Sequence, residues 1–348
     1  MNNLKIVHLF NLNRGSRYPS MISQGLWTHP RISVSFSMPF ISLGSLIQPA
    51  DPNLEKSLIT ADYIFRANDE HFGIQDMDAI LDRHDLWKKV IYYDFKDNHA
   101  IDTHRLATCA AYIKRSWPIG YDRRARPATQ KPILPMDYGL LDEYFAVNIP
   151  DEKDIDVACL FPSNPIIGTR RYQLITILKR CKSWFPDSHI GMPTAAAATG
   201  RRAVFASQEN NPFLDYLSVL KRSKIVFTAY PDNHDGDSRT WEAFSSQALV
   251  FMDKTSIPSP HPFVNGRDCF IYDARDPESI MSAVIRARAF LRNESHRRAI
   301  ALQGYKHALT YHKPVDRINL VLQWIRSTRA YDETGCYAPA AEAERAKR

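Results

Sequence analysis

Short apolar runs recur along the first part of the chain, each closed by a polar turn. LKIVHLF from Leu4 is followed by the polar turn Asn11–Arg17, which holds one glycine; ADYIFRA starts at Ala61, VIYYDF at Val90 and AAYIKRS at Ala110. Runs this short and this uniformly apolar suit strands covered on both faces, and a helix is predicted between them over Gln75 to Asp85. The expected arrangement is an open parallel sheet with helices between its strands. Pro127, Pro132, Pro135 and Gly139 then break the pattern, and the acidic DEKDID follows from Asp151. These signals put a domain boundary near Pro150.

The second half restarts the same plan. DVACLFP reads as a strand, a helix is predicted from about Thr169 to Cys181, a strand near His189, and a helix over NPFLDYLSVLKRS. Strand KIVFTAY, helix RTWEAFSSQ and strands ALVFMD and DCFIYD follow. Asp276 and Pro277 make a helix start, with Asp as cap and Pro at the first helical position. Two more helices run to about Trp324, and residues 328–348 read as a polar tail. The fold class is therefore α/β, with residues 1–150 and 151–327 as two units of one plan.

Composition narrows the picture. With 348 residues, 44% of them hydrophobic and 11% aromatic, the chain can fill two medium cores. No apolar window reaches membrane-spanning length and the start lacks a signal-peptide cleavage pattern, so a cytoplasmic protein is expected. The cysteines at 109, 159, 181, 269 and 336 are odd in number and never form CxxC, which argues against a disulfide framework or a zinc site. Lys and Arg number 45 against 38 Asp and Glu, a formal charge of +7. The excess clusters between Ile101 and Pro135 and between Ile167 and Arg202, as suits phosphate, nucleic acid or an anionic membrane; solvated helix faces are the other reading.

One stretch asks for a ligand. HDGDSRTWEAFSSQALVFMD, His234 to Asp253, crowds acids, Ser238 and Arg239 into a turn before a Trp-Glu pair opens an apolar segment, and PHPFVNGRDCFIYD follows from Pro260. This order resembles the C-terminal domain of GT-B glycosyltransferases, specifically the bacterial group that includes the CgeB-like spore-maturation proteins. The resemblance covers roughly Asp156 to Trp324; the first half shares only the architecture and the Y-x-K-R-S segment Tyr112–Ser116. It implies two Rossmann-like domains facing each other across a cleft, a nucleotide-diphosphate sugar bound by the second, and no metal or other cofactor. Many retaining relatives carry a glutamate eight residues before the ribose-binding one; His234 stands at that position here.

The residue types fit such a ligand. Glu242 near a helix start can accept both hydrogen bonds of a ribose diol, and Arg239, one turn earlier, can reach the diphosphate. In an open α/β sheet the ligand lies beyond the carboxyl ends of the strands, where this loop sits. Asp235 and Asp237 either recognise sugar hydroxyls or cap the helix. Ser163, Arg170 and Arg171 form a polar turn into a helix, suited to phosphate or to an ordinary helix start. Tyr230, with Tyr216, borders the base or belongs to the core.

On the acceptor side, Asp94, Asp97 and His99 follow a strand end and are candidate proton acceptors, if the enzyme inverts, for the attacking hydroxyl. Asn13, Arg14, Gly15, Lys114 and Arg115 are candidates to line the cleft. No dinucleotide fingerprint, Walker lysine motif or HExxH occurs. The expected activity is metal-independent transfer of a sugar to a glycan, lipid-linked or other hydroxyl acceptor, with a basic face around Arg123, Arg124 and Arg126 able to touch anionic lipid on the inner face of a membrane. The alternatives are a non-catalytic GT-B-like structural or spore-coat-type protein and, on charge alone, a nucleic-acid binder that lacks a supporting motif.

Overall fold

The computed structural model describes residues 3–10, 17–42, 45–68, 74–96, 100–118, 133–161, 169–191, 212–232 and 234–327. The first half supplies β1 (Leu4–Leu9), β2 (Ile32–Phe36), the hairpin β3 (Phe40–Ser42) and β4 (Ser45–Gln48), β5 (Tyr63–Ala67) and β6 (Val90–Asp94). It continues with β7 (Ala111–Lys114), β8 (Trp117–Pro118) and β9 (Ile133–Pro135). Six of these form a sheet in the order β2-β1-β5-β6-β7-β9, with every pairing parallel. Its helices are α1 (Arg17–Thr28), α2 (Leu54–Thr60), α3 (Ile74–Arg83) and α4 (Thr103–Thr108).

The second half holds β10 (Ile155–Cys159), β11 (Ser188–Ile190), β12 (Ser223–Thr228), β13 (His234–Asp235), β14 (Leu249–Asp253) and β15 (Phe270–Tyr272). Its parallel sheet runs β11-β10-β12-β14-β15. The helices are α5 (Thr169–Arg180), α6 (Pro212–Arg222), α7 (Ser238–Phe244), α8 (Pro277–Leu291), α9 (Glu294–Tyr311) and α10 (Pro314–Ser327).

Strand periodicity divides the apolar residues among three clusters. In β6, Val90 and Tyr92 face the cluster holding Leu58, Leu81 and Leu106 of α2, α3 and α4, while Ile91 and Tyr93 face the opposite side with α1. In β14, Leu249 and Phe251 meet α5 and α8, while Val250 and Met252 point the other way. The inner faces of both sheets belong to one cluster, which runs unbroken from Ile6 and Phe65 through Met136 and Tyr144 to Trp241 and Trp324. The last helix completes it, because α10 returns to lie along α1, so close that a Cβ on Gly25 would come within 2.5 Å of the Pro314 carbonyl oxygen.

Several predicted elements match closely, among them α3, β12 and α8 with its Asp276 cap and Pro277. Three helices and six strands, α1, α2, α4, β2 to β4, β8, β9 and β13, were not anticipated. The reason is visible in α1, where Ser20, Ser23, Gln24 and Gly25 are buried alongside Met21, Ile22 and Leu26, so no two-sided pattern exists to read. Pro135, expected to interrupt structure, instead ends β9, an edge strand where a missing N–H leaves no ladder bond unmade. Cys109, Cys159, Cys181 and Cys269 are buried and form no disulfide among the described residues. No helix among the described residues is long and apolar enough to cross a membrane.

Candidate functional site

The carboxyl ends of β10, β12 and β14 carry two concentric sets of charges. In the inner set, the Arg170 guanidinium lies 3.2 Å from Asp235 and 3.3 Å from Asp253, and all three side chains are buried. Asp235 also accepts from the Ser256 amide and hydroxyl, and Asp253 from the amides of Tyr230 and Ala274. Burial pushes the Asp253 carboxyl up to about 6. Arg170, through Nη1, and Asp235 thus hold the loops after β12 and β14 together and both are buried, while Arg170 Nη2 has no hydrogen-bond partner among the described residues. Tyr230 is buried as well, so the core reading of that residue fits its place. Asp232 caps α5, accepting from the amides of Thr169 and Arg170 and from the Thr169 hydroxyl. The helix start that an anion was expected to use is therefore already met by a carboxylate.

The outer set faces the first half. Asp237 caps α7 and pairs with Arg171, whose Nε donates to the Ala229 carbonyl oxygen at 2.9 Å. Burial opposes ionisation of Asp237, but Arg171 and Arg239 outweigh it and hold its carboxyl below the ordinary range. The Arg239 Nε is buried without a hydrogen-bond partner. Glu242 has no exposed surface; its carboxylate accepts from the Tyr216 hydroxyl of α6 and pairs with Arg17, the first residue of α1. Arg17 also donates to Ser238 Oγ at 3.1 Å and lies over the Phe213 ring. Around the Tyr216 phenol the fields of Arg239, Arg17, Asp237 and Arg171 all converge.

The first sheet's carboxyl end is organised differently. Asp94 is buried and accepts from Asn68 Nδ2, from the Lys96 amide at 3.1 Å, and from the Tyr112 hydroxyl and Lys114 Nζ, both at 2.8 Å. Four donors leave this carboxylate no role as a proton acceptor for an incoming hydroxyl. Lys114 has no exposed surface; burial lowers its pKa and Asp94 only partly restores it. The expectation that Lys114 lines the cleft gives way to an internal ion pair. Arg115 does cross between halves, donating to the Phe95 carbonyl and, at 3.3 Å, to the Gly236 carbonyl oxygen. A short antiparallel pairing of β8 with β13, Trp117 opposite Asp235, runs beside it.

Asn13, Arg14, Gly15, Asp97, His99, Ser163 and the arginines at 123, 124 and 126 lie outside the described residues. Two residues reach the interface without having been singled out. Arg17 was read as the end of a polar turn, and nothing local signals that its charge meets Glu242 more than two hundred positions away. Asp137 follows β9, and its Oδ1 lies 3.2 Å from where a Cβ on Gly236 would stand. The proline-rich context of Asp137 disguised it as a linker.

Residues 190–323 match a family pattern described as glycosyl transferase-like. Compared with curated protein sequences, the chain has no significant match. Among solved structures, it is similar to an α-glucosyltransferase in complex with UDP and a 13-mer DNA, with a TM-score of 0.58 at 9% identity over 93% of this chain and 100% of that one. It is similar to Anabaena HepE in complex with UDP and glucose, at a TM-score of 0.52, 12% identity and coverage of 93% and 100%. Sucrose-phosphate synthase from Thermosynechococcus elongatus gives a TM-score of 0.53 at 11% identity, covering 95% and 100%. The fold is that of the GT-B glycosyltransferases, and the likeness read from His234 to Asp273 falls within the matched segment.

Proposed function

We propose that this protein transfers a sugar from a nucleoside-diphosphate sugar to a hydroxyl acceptor, holding the donor on the second half. The observation that carries the reading is the outer charge set: three guanidiniums (Arg17, Arg171, Arg239) face two carboxylates (Asp237, Glu242) at the carboxyl end of the second sheet. Three positive charges less two negative leave one surplus, in a place sheltered from water, where an anion's attraction is strengthened. UDP sugars are the first donors to test, because similar folds hold UDP.

In this scheme Glu242 accepts the two hydroxyl hydrogens of the ribose. Arg17 must therefore leave Glu242 and take a phosphate oxygen instead, an exchange of one anion for another. Arg171 and Arg239 neutralise the diphosphate as the bond to the anomeric carbon breaks, so their electrostatic work is largest in the transition state and no metal ion is required. Closure against the first half orients the acceptor hydroxyl and excludes water.

One observation favours a second reading, a GT-B-shaped protein that binds no nucleotide sugar: Glu242 is wholly covered and its carboxylate already engaged. Calorimetry separates the two. Wild-type protein is expected to bind a member of a UDP-sugar panel, and Glu242→Gln, which keeps the side chain's shape, should weaken that binding by about 10- to 100-fold, the loss of about 1.4–2.8 kcal/mol of charge-assisted hydrogen bonding. No heat with any nucleotide sugar, or an unchanged affinity in the variant, defeats the proposal.

A further inference from the structure

The two oxygens of the Glu242 carboxylate are held in different ways. Oε1 pairs with Arg17, which comes from the first half of the chain, and has no other partner among the described residues. Oε2 accepts from the Tyr216 hydroxyl at 2.5 Å, and Tyr216 stands on α6, which packs against α7 within the second half. A movement of the halves, or a phosphate that competes for the guanidinium, takes Arg17 away. Tyr216 stays, because it belongs to the same half as the helix that carries Glu242. The Arg17 side chain is 15% exposed where Glu242 has no exposure, so the place it vacates is the one that opens to solvent.

The phenol itself is fixed. Its ring stacks on Phe213, one helical turn earlier, with centroids 6.2 Å apart and planes 17° from parallel, and Phe213 is buried beside the Tyr144 ring. Burial raises the Tyr216 pKa, against the opposing fields of Arg239 and Arg17, so the hydroxyl keeps its hydrogen and donates. A carboxylate with one lone pair filled by a fixed donor is held in one orientation. Once Arg17 leaves, Oε1 and the second lone pair of Oε2 remain to accept.

We infer that Tyr216 is a positioning residue that fixes the Glu242 carboxylate to accept both hydroxyls of a ribose at once, which makes the site selective for ribonucleotides over nucleotides lacking that diol. The inference rests on the donor site proposed above. It gives Tyr216 a place that is neither beside the base nor in the core. A nucleotide without the diol leaves the carboxylate with the phenol alone, a buried charge short of partners, and that cost is what discriminates. Without the phenol the carboxylate is free to turn, and the diol loses a prepared acceptor.

The test is calorimetry with UDP and with 2′,3′-dideoxy-UDP. Wild-type protein should bind UDP at least about 100-fold more tightly than the dideoxy compound, the worth of two hydrogen bonds to a charged group. Tyr216→Phe, which keeps the ring and its stack on Phe213, should weaken UDP about tenfold and change the dideoxy compound less than threefold. A purely structural role would weaken both alike, and that result, or an unchanged UDP affinity, overturns the assignment while donor binding stands. Should Tyr216→Phe fail to fold, 3-fluorotyrosine at position 216 reads the same contact: its fluorine resonance should shift with UDP and not with the dideoxy compound, and equal shifts overturn the assignment. A wild type that binds no UDP defeats the underlying reading, and this inference with it.

Discussion

At the carboxyl edge of the first sheet, Asp94 draws its donors from Asn68, Lys96, Tyr112 and Lys114, all within one half. At the same edge of the second sheet, an inner ring of Arg170, Asp235 and Asp253 is likewise held within one half, but an outer ring reaches across to Arg17. Both edges end parallel strands and gather charges of opposite sign. What differs is whether the charge is neutralised locally or left to be completed from outside, and the second condition is the one a ligand can exploit. A closed ring stabilises loops; an open one binds.

Three substitutions probe that contrast. Lys114→Met removes the ammonium from the closed ring and strands the buried Asp94 charge. It should cost about 3–5 kcal/mol in urea unfolding, with donor binding by the remaining folded protein unchanged. A loss of binding without a loss of stability would show instead that the first edge is open. Gly236→Ala acts on the bridge between edges, where its φ of +104° and the Arg115 carbonyl oxygen at 2.9 Å leave no room for a methyl group. A destabilisation of about 1–3 kcal/mol is expected in urea unfolding. Arg222→Ala breaks an exposed pair with Asp154 far from both edges, and thermal melts should not register it.

Asp137 also makes the comparison dependent on pH. Its folded pKa lies above the unfolded value, so its contribution to stability is complete below about pH 4 and is lost as pH rises through about 7. Asp137→Asn should therefore melt higher than wild type at pH 8, with the advantage shrinking on acidification toward pH 5. A constant difference across that range would mean that the carboxyl is not held up by burial.

Much of the second half was legible because its signals are local. DVACLFP and ALVFMD are uniformly apolar since both faces of their strands are covered, Asp276 was a recognisable cap, and capping was one of the two readings of Asp237. Asp235 and Arg170 were rightly drawn to the same place but for a different purpose, because composition cannot distinguish a carboxylate with a free lone pair from one already filled. The pairing of Asp94 with Lys114 spans two strands and appears only once the β6 and β7 register sets them side by side. Arg17 was missed because its partner Glu242 comes from the other half of the chain, and Asp137 because it sits in a proline-rich stretch with no amphipathic pattern to read.

The seam between α1 and α10 has a consequence for synthesis. Residues 17–28 leave the ribosome well ahead of the helix that covers them, residues 314–327. At about 5–20 residues per second, the interval between Thr28 and Pro314 is on the order of 15–60 s. Throughout it, Met21, Ile22 and Leu26 lack the neighbour against which Gly25 is fitted, so the nascent chain carries a sticky helix that chaperones are well placed to shield until α10 emerges.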